Sequence, residues 1–154
     1  MAPVAVLQAS VVHASPSSAD YYDMMRSVFE GLAFAARDCY AVMGPIPREI
    51  RITGGAAQSK ALRLILASVL NAEVRSVSRE EAGAAGTAMI AAVQQRIFPD
   101  MAACAKAWVD PHLGASTKPD NQLNGCYEKV FPHFVAARKA MRPTWQGLRE
   151  TALV

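Results

Sequence analysis

Glu49-Ile50-Arg51-Ile52-Thr53-Gly54-Gly55-Ala56-Ala57-Gln58-Ser59 is the stretch whose reading decides the fold. Its first five residues alternate polar and β-branched side chains, the pattern of a short strand, and the strand runs directly into a glycine pair that makes a turn. Beyond the turn, Leu62, Ile65, Leu66, Val69 and Leu70 lay an apolar stripe along a helix from about Gln58 to Asn71, and Val74 to Val77 forms a second short strand. Strand, helix, strand predicts a βαβ unit: consecutive strands joined through a helix lie parallel, with the helix across one face.

Upstream, Met25, Val28, Leu32, Ala36, Cys39 and Met43 recur every three or four residues from Asp20 to Met43, which predicts a long helix with these residues on its apolar face, Cys39 buried among them. Gly44-Pro45 and Pro47 stop it. Downstream, a third helix begins near Glu80 and is dense in small side chains from Glu81 to Ala88. Gly83 and Gly86 each cost a helix about 1 kcal/mol relative to alanine, so either a neighbouring strand or ligand comes close there or the helix is simply closely packed. From Phe98-Pro99 the alternation ends. Asp110-Pro111, Gly114-Ala115-Ser116 and Lys118-Pro119-Asp120 read as a polar loop, followed by a helical tail with Leu123, Tyr127, Val130, Phe131, Phe134, Ala137 and Met141 on one face, bent or interrupted at Pro132. The chain thus divides into 1–19, of uncertain structure, an α/β portion at 20–98, and a helical tail at 99–154 packing on it. Two parallel strands make a poor sheet, so the unit belongs to a larger one unless Val4 to Val12 supplies a further strand.

The 154 residues suit one domain, and 52% hydrophobic with 19% charged residues is a globular composition. Sixteen basic against thirteen acidic side chains leave a net charge of only +3 with no basic stripe, which argues against nucleic acid as a partner. Cys39, Cys104 and Cys126 are odd in number and widely spaced, giving neither a disulfide framework nor a metal motif and suiting a reducing cytoplasm. The apolar start lacks a basic n-region, and no uncharged run is long enough to span a bilayer, so no membrane association is expected. His13, His112 and His133 share no metal-ligand spacing and read as surface or capping residues.

Chemistry concentrates at the strand–Gly–Gly–helix junction. Glycine lets a backbone approach a ligand closely, and a helix N-terminus presents free N–H groups, an arrangement suited to an anion or nucleotide, although a Gly-Gly turn after a strand is also simply a turn. Three segments resemble one family in order and spacing. Arg26-Ser27-Val28-Phe29-Glu30-Gly31-Leu32-Ala33-Phe34 resembles its RAxxEGxAF helix, Ile52 to Ser59 its adenosine motif, and Glu81 to Ala88 the ExxxxGAA segment after it. The family is that of the FGGY carbohydrate kinases, which includes glycerol, xylulose, ribulose and erythritol kinases, and the resemblance covers roughly residues 20 to 142. Arg37-Asp38-Cys39-Tyr40 and Arg79 to Gly86 lean toward its polyol kinases.

The resemblance implies an α/β fold, the C-terminal portion of an RNase-H-like (actin-like ATPase) domain with a helical C-terminal tail. It implies ATP as cofactor, with Mg²⁺ entering through the nucleotide, and a sugar or polyol as the substrate of the complete enzyme. The backbone of Gly54, Gly55 and Ala56 would lie against the nucleotide, with Gln58 and Ser59 near the adenine or ribose. Ser59 also reads as an ordinary N-cap, and Glu30 either holds neighbouring loops or belongs to a solvated face. The family's DxGT phosphate hairpin, catalytic Asp and second Gly-Thr loop have no counterpart in this sequence, so the resemblance places phosphoryl transfer in a missing N-terminal domain and implies an inactive isolated chain. The rival reading is a non-catalytic interaction or regulatory module derived from a truncated or split kinase. An exposed parallel edge makes a homo-oligomer a further possibility.

Overall fold

The computed structural model describes residues 21–78 and 81–151; the proposed strand at Val4 to Val12 and the Arg79-Glu80 pair lie outside these. In chain order the elements are α1 (Tyr21–Met43), β1 (Glu49–Ile52), α2 (Gly55–Gln58), α3 (Lys60–Leu70), β2 (Glu73–Val77), α4 (Ala82–Gln94), α5 (Met101–Trp108), a 3-10 turn (Asp110–His112), β3 (Leu113–Thr117) and α6 (Asn121–Thr151). β1 and β2 are parallel, with Glu49 opposite Glu73 and Ile52 opposite Ser76, as the strand–helix–strand order predicts.

The segment read from the sequence as a polar loop supplies a third strand. β3 pairs antiparallel with β2, Val74 opposite Thr117 and Arg75 opposite Ser116, giving the order β1-β2-β3. Leu-Gly-Ala-Ser-Thr has no apolar alternation because this edge strand buries little: Gly114, Ala115 and Ser116 are exposed. What fixes it is close approach to β2. A Cβ on Gly114 would stand 2.6 Å from the Ser76 hydroxyl oxygen, beside the irregularity in register between Arg75 and Val77, so glycine is the residue that fits there.

The predicted second helix comes as two. α2 is a single turn beginning at Gly55, and Ser59, extended at φ −74° and ψ 111°, resets the chain before α3. Asn71 ends α3 in the left-handed conformation (φ 49°), which asparagine tolerates. α3 then packs between α1 and α6 around Ala33, Phe34, Ile65, Val69, Tyr127 and Phe134, a core in which the Phe34 ring meets Tyr127 edge-on at 5.6 Å. Each of the large members contributes about 1.5–3 kcal/mol by leaving water. Ser68 ties α3 to the start of α6: its hydroxyl donates to the Leu64 carbonyl and accepts from the Asp120 N–H, and its carbonyl accepts from the Asn124 side chain. α6 runs through Pro132 as one continuous helix, so the proline does not interrupt it, with Tyr127 and Phe134 anchored on either side in the same core. A smaller cluster of Met89, Ala92 and Cys104, with Phe98 and Trp108 against it, joins α4 to α5.

The face of α1 that turns inward is not the one the sequence suggested. Ser27, Glu30, Gly31, Ala33 and Phe34 are buried, whereas Met25, Leu32, Cys39 and Met43 are exposed. Glu30 is only 1% exposed, and its Oε1 accepts from Arg26 Nε at 2.8 Å and from the Tyr127 hydroxyl at 2.9 Å. It is therefore not on a solvated face: it is a buried carboxylate that links α1 to α6. A buried ion of this kind is tolerated only when paired and hydrogen-bonded.

Candidate functional site

Beyond the carboxyl ends of β1 and β2, where α/β sheets generally bind ligands, lies an open cleft of about 170 Å³. Arg51, Ile52 and Thr53 come to it from β1 and its end, Val77 from β2, Ala82, Ala85, Gly86 and Met89 from α4, and Val109 from before the 3-10 turn. The four α4 residues stand at i, i+3, i+4 and i+7, one face of the helix. Pockets that enclose a small ligand run to roughly 300–1,000 Å³, so this cleft is too small to enclose one by itself.

The wall is apolar apart from Thr53 and a single charged side chain. Arg51 donates from Nε to Glu49 Oε1 at 3.1 Å and from Nη1 to Asp110 Oδ1 at 3.0 Å, which couples the strand to the segment bearing Val109. Hydrogen bonds from Arg75 first, and from Arg51 second, hold the Glu49 carboxyl below the usual carboxylate range. These pairs are half-exposed and supply register more than energy.

Gly54 has φ +79°, in the left-handed region, and its carbonyl accepts from the Ala57 N–H at 3.0 Å, closing the turn predicted from the sequence. Gly55 carries no such constraint, and among the described residues a Cβ there would meet no heavy atom within 4 Å. Below the turn the buried Arg63 donates from Nη1 to the Ala57 carbonyl and from Nε to Thr117 Oγ1 at 3.4 Å, bracing the Gly-Gly junction against β3. Ser59 is the N-cap of α3: its Oγ accepts from the Leu62 N–H at 3.2 Å, leaving the hydroxyl hydrogen to donate elsewhere.

Of the residues singled out from the sequence, Gly54, Gly55 and Gln58 are exposed and Ser59 is half-buried; they follow Thr53 in the chain but do not themselves line the cleft. Ala56 sits within α2. Gly86 lines the cleft opposite Ile52 and Thr53, while Gly83 does not and is exposed. Among the described residues a Cβ at Gly83 or Gly86 would touch nothing within 4 Å, so close packing against them does not explain either glycine. Sequence reasoning missed Arg51, Val77, Met89 and Val109, which are brought together only by the tertiary fold; Arg51 had the one visible signal, a charge near the end of a strand that runs into glycine. His112 and His133 are exposed. Among the described residues no group of three His, Cys, Asp or Glu side chains stands close enough to hold a metal ion. No helix among them is long and apolar enough to cross a membrane.

Residues 7–95 match the C-terminal domain of the FGGY family of carbohydrate kinases. Over 133 residues, 86% of this chain, the sequence is 53% identical to erythritol kinase of Brucella abortus (strain 2308) and spans 26% of that protein. It is 26% identical over 117 residues, 71% of this chain, to xylulose kinase of Staphylococcus xylosus, of which it spans 24%. Xylulose kinase from Rhodospirillum rubrum superposes with a TM-score of 0.68 at 23% identity over 86% of this chain and 28% of that one. For the ligand-bound xylulose kinase from Lactobacillus acidophilus the TM-score is 0.68 at 20% identity, over 82% and 26% of the two chains. The chain therefore spans about a quarter of the length of the relatives it matches, and its fold is the C-terminal portion of an RNase-H-like (actin-like ATPase) domain with a helical tail. It belongs to the FGGY family of carbohydrate kinases, whose C-terminal domain it carries.

Proposed function

We propose that this chain supplies the nucleotide-binding wall of an ATP-dependent sugar or polyol kinase, in the cytoplasm, with the polyol side of the family favoured by its 53% identity to an erythritol kinase. The observation that carries the reading is the cleft at the carboxyl ends of β1 and β2, between the strand that ends in Gly54-Gly55 and the small-residue face of α4. Ile52, Val77, Ala85 and Met89 offer an apolar surface for a flat base. Gly54, Gly55 and Ala56 make the adjoining turn from small residues, so that backbone N–H groups can approach a ribose or phosphate. Gln58 and the Ser59 hydroxyl hydrogen are the polar groups nearest in sequence to orient it. Arg63 and the Arg51–Asp110 pair hold the two sides of the cleft in position. Residues 20–98 supply most of this wall, Val109 completes it, and α6 packs behind it.

When bound, ATP with its Mg²⁺ would supply the phosphoryl group for a carbohydrate hydroxyl. The chain's own part is binding and orientation. A general base and a phosphate clamp, which phosphoryl transfer also requires, have no candidates in this sequence, so the isolated chain is inactive and the remaining groups come from the N-terminal domain of a complete kinase.

One wall of a cleft binds weakly, since immobilising a ligand costs several kcal/mol that a second wall would offset, which puts the Kd for ATP at about 1 mM. Calorimetric titration of the wild-type chain and Gly55→Val with ATP tests this. A Cβ added at Gly55 meets no heavy atom within 4 Å among the described residues, so circular dichroism of the variant should be unchanged while its ATP binding is lost. Equal binding by both proteins, or ADP release by the chain alone on erythritol, xylitol or glycerol, would contradict the reading.

A further inference from the structure

Arg63 stands where a helix ordinarily favours an acid. The N-terminus of α3 carries the positive end of the helix dipole, yet its first turn, Lys60-Ala61-Leu62-Arg63, holds two cations and no acidic residue. Lys60 is exposed, so water screens its charge. Arg63 is only 9% exposed, and a buried guanidinium stays charged and is costly to keep there. It donates from Nη1 to the Ala57 carbonyl and from Nε to Thr117 Oγ1 at 3.4 Å, both neutral acceptors, so these bonds fix the guanidinium without neutralising it. The acids of the adjoining sheet are engaged with other cations, Glu49 and Asp110 with Arg51 and Glu73 with Arg75. Thr117 belongs to β3, beyond the residues 7–95 that match the family's C-terminal domain, so the fixture draws on the tail.

A single residue joins this charge to the glycine turn. The Ala57 N–H donates to the Gly54 carbonyl at 3.0 Å, and the Ala57 carbonyl receives Arg63. Ala57 is itself buried, so the guanidinium acts on the turn through protein and not through water, where a charge reaches over several ångströms with little screening. An anion at the turn gains from that field, and a neutral molecule there does not.

We infer that Arg63 is the residue that gives the Gly54-Gly55 turn a preference for the phosphorylated form of its nucleotide: the held guanidinium draws the phosphate end to the turn, while the uncharged nucleoside binds without its help. The inference rests on the reading of the cleft as a nucleotide-binding wall. It adds which property of the ligand that wall selects, and which side chain selects it.

The test compares Arg63→Gln, which keeps a donor for the Ala57 carbonyl but no charge, with Arg63→Lys, which keeps the charge. The full chain and both variants are titrated with ATP and with adenosine and followed by amide shifts at residues 52–59. Arg63→Gln should bind ATP about tenfold more weakly than the wild type and adenosine equally well, and Arg63→Lys should bind ATP within about threefold of the wild type. A side chain that only braced the turn would move ATP and adenosine together, and lysine would not rescue it. Thermal unfolding establishes that each variant is folded; should Arg63→Gln not unfold cooperatively, Arg63→Met, unbranched and apolar, replaces it with the same expectation. ATP binding by the uncharged variant equal to that of the wild type overturns the inference, as does an equal loss for ATP and adenosine, or an Arg63→Lys that binds ATP no better than Arg63→Gln. A wild type that binds ATP and adenosine equally well leaves the nucleotide site standing and sinks the inference alone. A wild type whose amides shift with neither ligand overturns the nucleotide reading, and the inference with it.

Discussion

Gly86→Ala separates the two explanations for a glycine in the middle of α4. The position lines the cleft, and a methyl group there meets no heavy atom of the described residues within 4 Å. Its backbone is helical, and no positive φ protects the glycine. Alanine should therefore stabilise the unliganded protein by about 0.8–1 kcal/mol through helix propensity alone. In a chain of this size that is a rise in Tm of roughly 2–4 °C. The same methyl stands where the nucleotide would lie. With Kd about 1 mM, 10 mM ATP stabilises the wild type by RT ln(1 + [L]/Kd), about 1.4 kcal/mol, and a tenfold loss of affinity cuts this to about 0.4 kcal/mol. Thermal unfolding of both proteins with and without ATP reads both effects: a higher baseline Tm and a smaller ATP shift for Gly86→Ala. A lower baseline would mean that α4 packs against something at Gly86, and a raised baseline with an undiminished ATP shift would remove the nucleotide from this face.

Tyr127→Phe takes from the buried Glu30 carboxylate one of its two donors and should cost about 1.5–3 kcal/mol in urea unfolding. Burial, with the neighbouring Glu30 charge, pushes the Tyr127 hydroxyl up to about 12. Because its folded pKa lies above the unfolded value of about 10, this contribution is full below pH 10 and fades as pH rises toward 12, so the gap in Tm between wild type and Tyr127→Phe should shrink over that window and not below it. Gly114→Ala drives a methyl against the Ser76 hydroxyl and should destabilise by on the order of 1 kcal/mol; in a Ser76→Ala background most of that cost should vanish, a coupling that a double-mutant cycle in urea measures.

Where local periodicity and burial agree, as in β1, α3 and β2, the elements were legible to within a few residues, apart from the break at Ser59. α1 was legible as a helix but not in its orientation, because it carries two apolar faces and the buried one includes a carboxylate. Nothing within α1 signals that Glu30 accepts a hydrogen bond from a tyrosine 97 positions later. β3 was illegible because an exposed edge strand needs no apolar alternation, and its fit depends on Gly114 meeting Ser76. At the site, the turn at Gly54-Gly55 and the small residues of α4 stood out as local oddities. Arg51, Val77 and Val109 did not, since only the sheet and the Arg51–Asp110 pair bring them together.

The central claim is that a nucleotide lies between the β1 turn and α4. Titration of the ¹⁵N-labelled chain with ATP, followed by amide chemical shifts, tests it most directly. The account predicts saturable shifts concentrated at residues 52–59, with a second group at 82–89 and at Val109. Shifts confined to α1 or α6, or scattered over the surface without saturation, would contradict it.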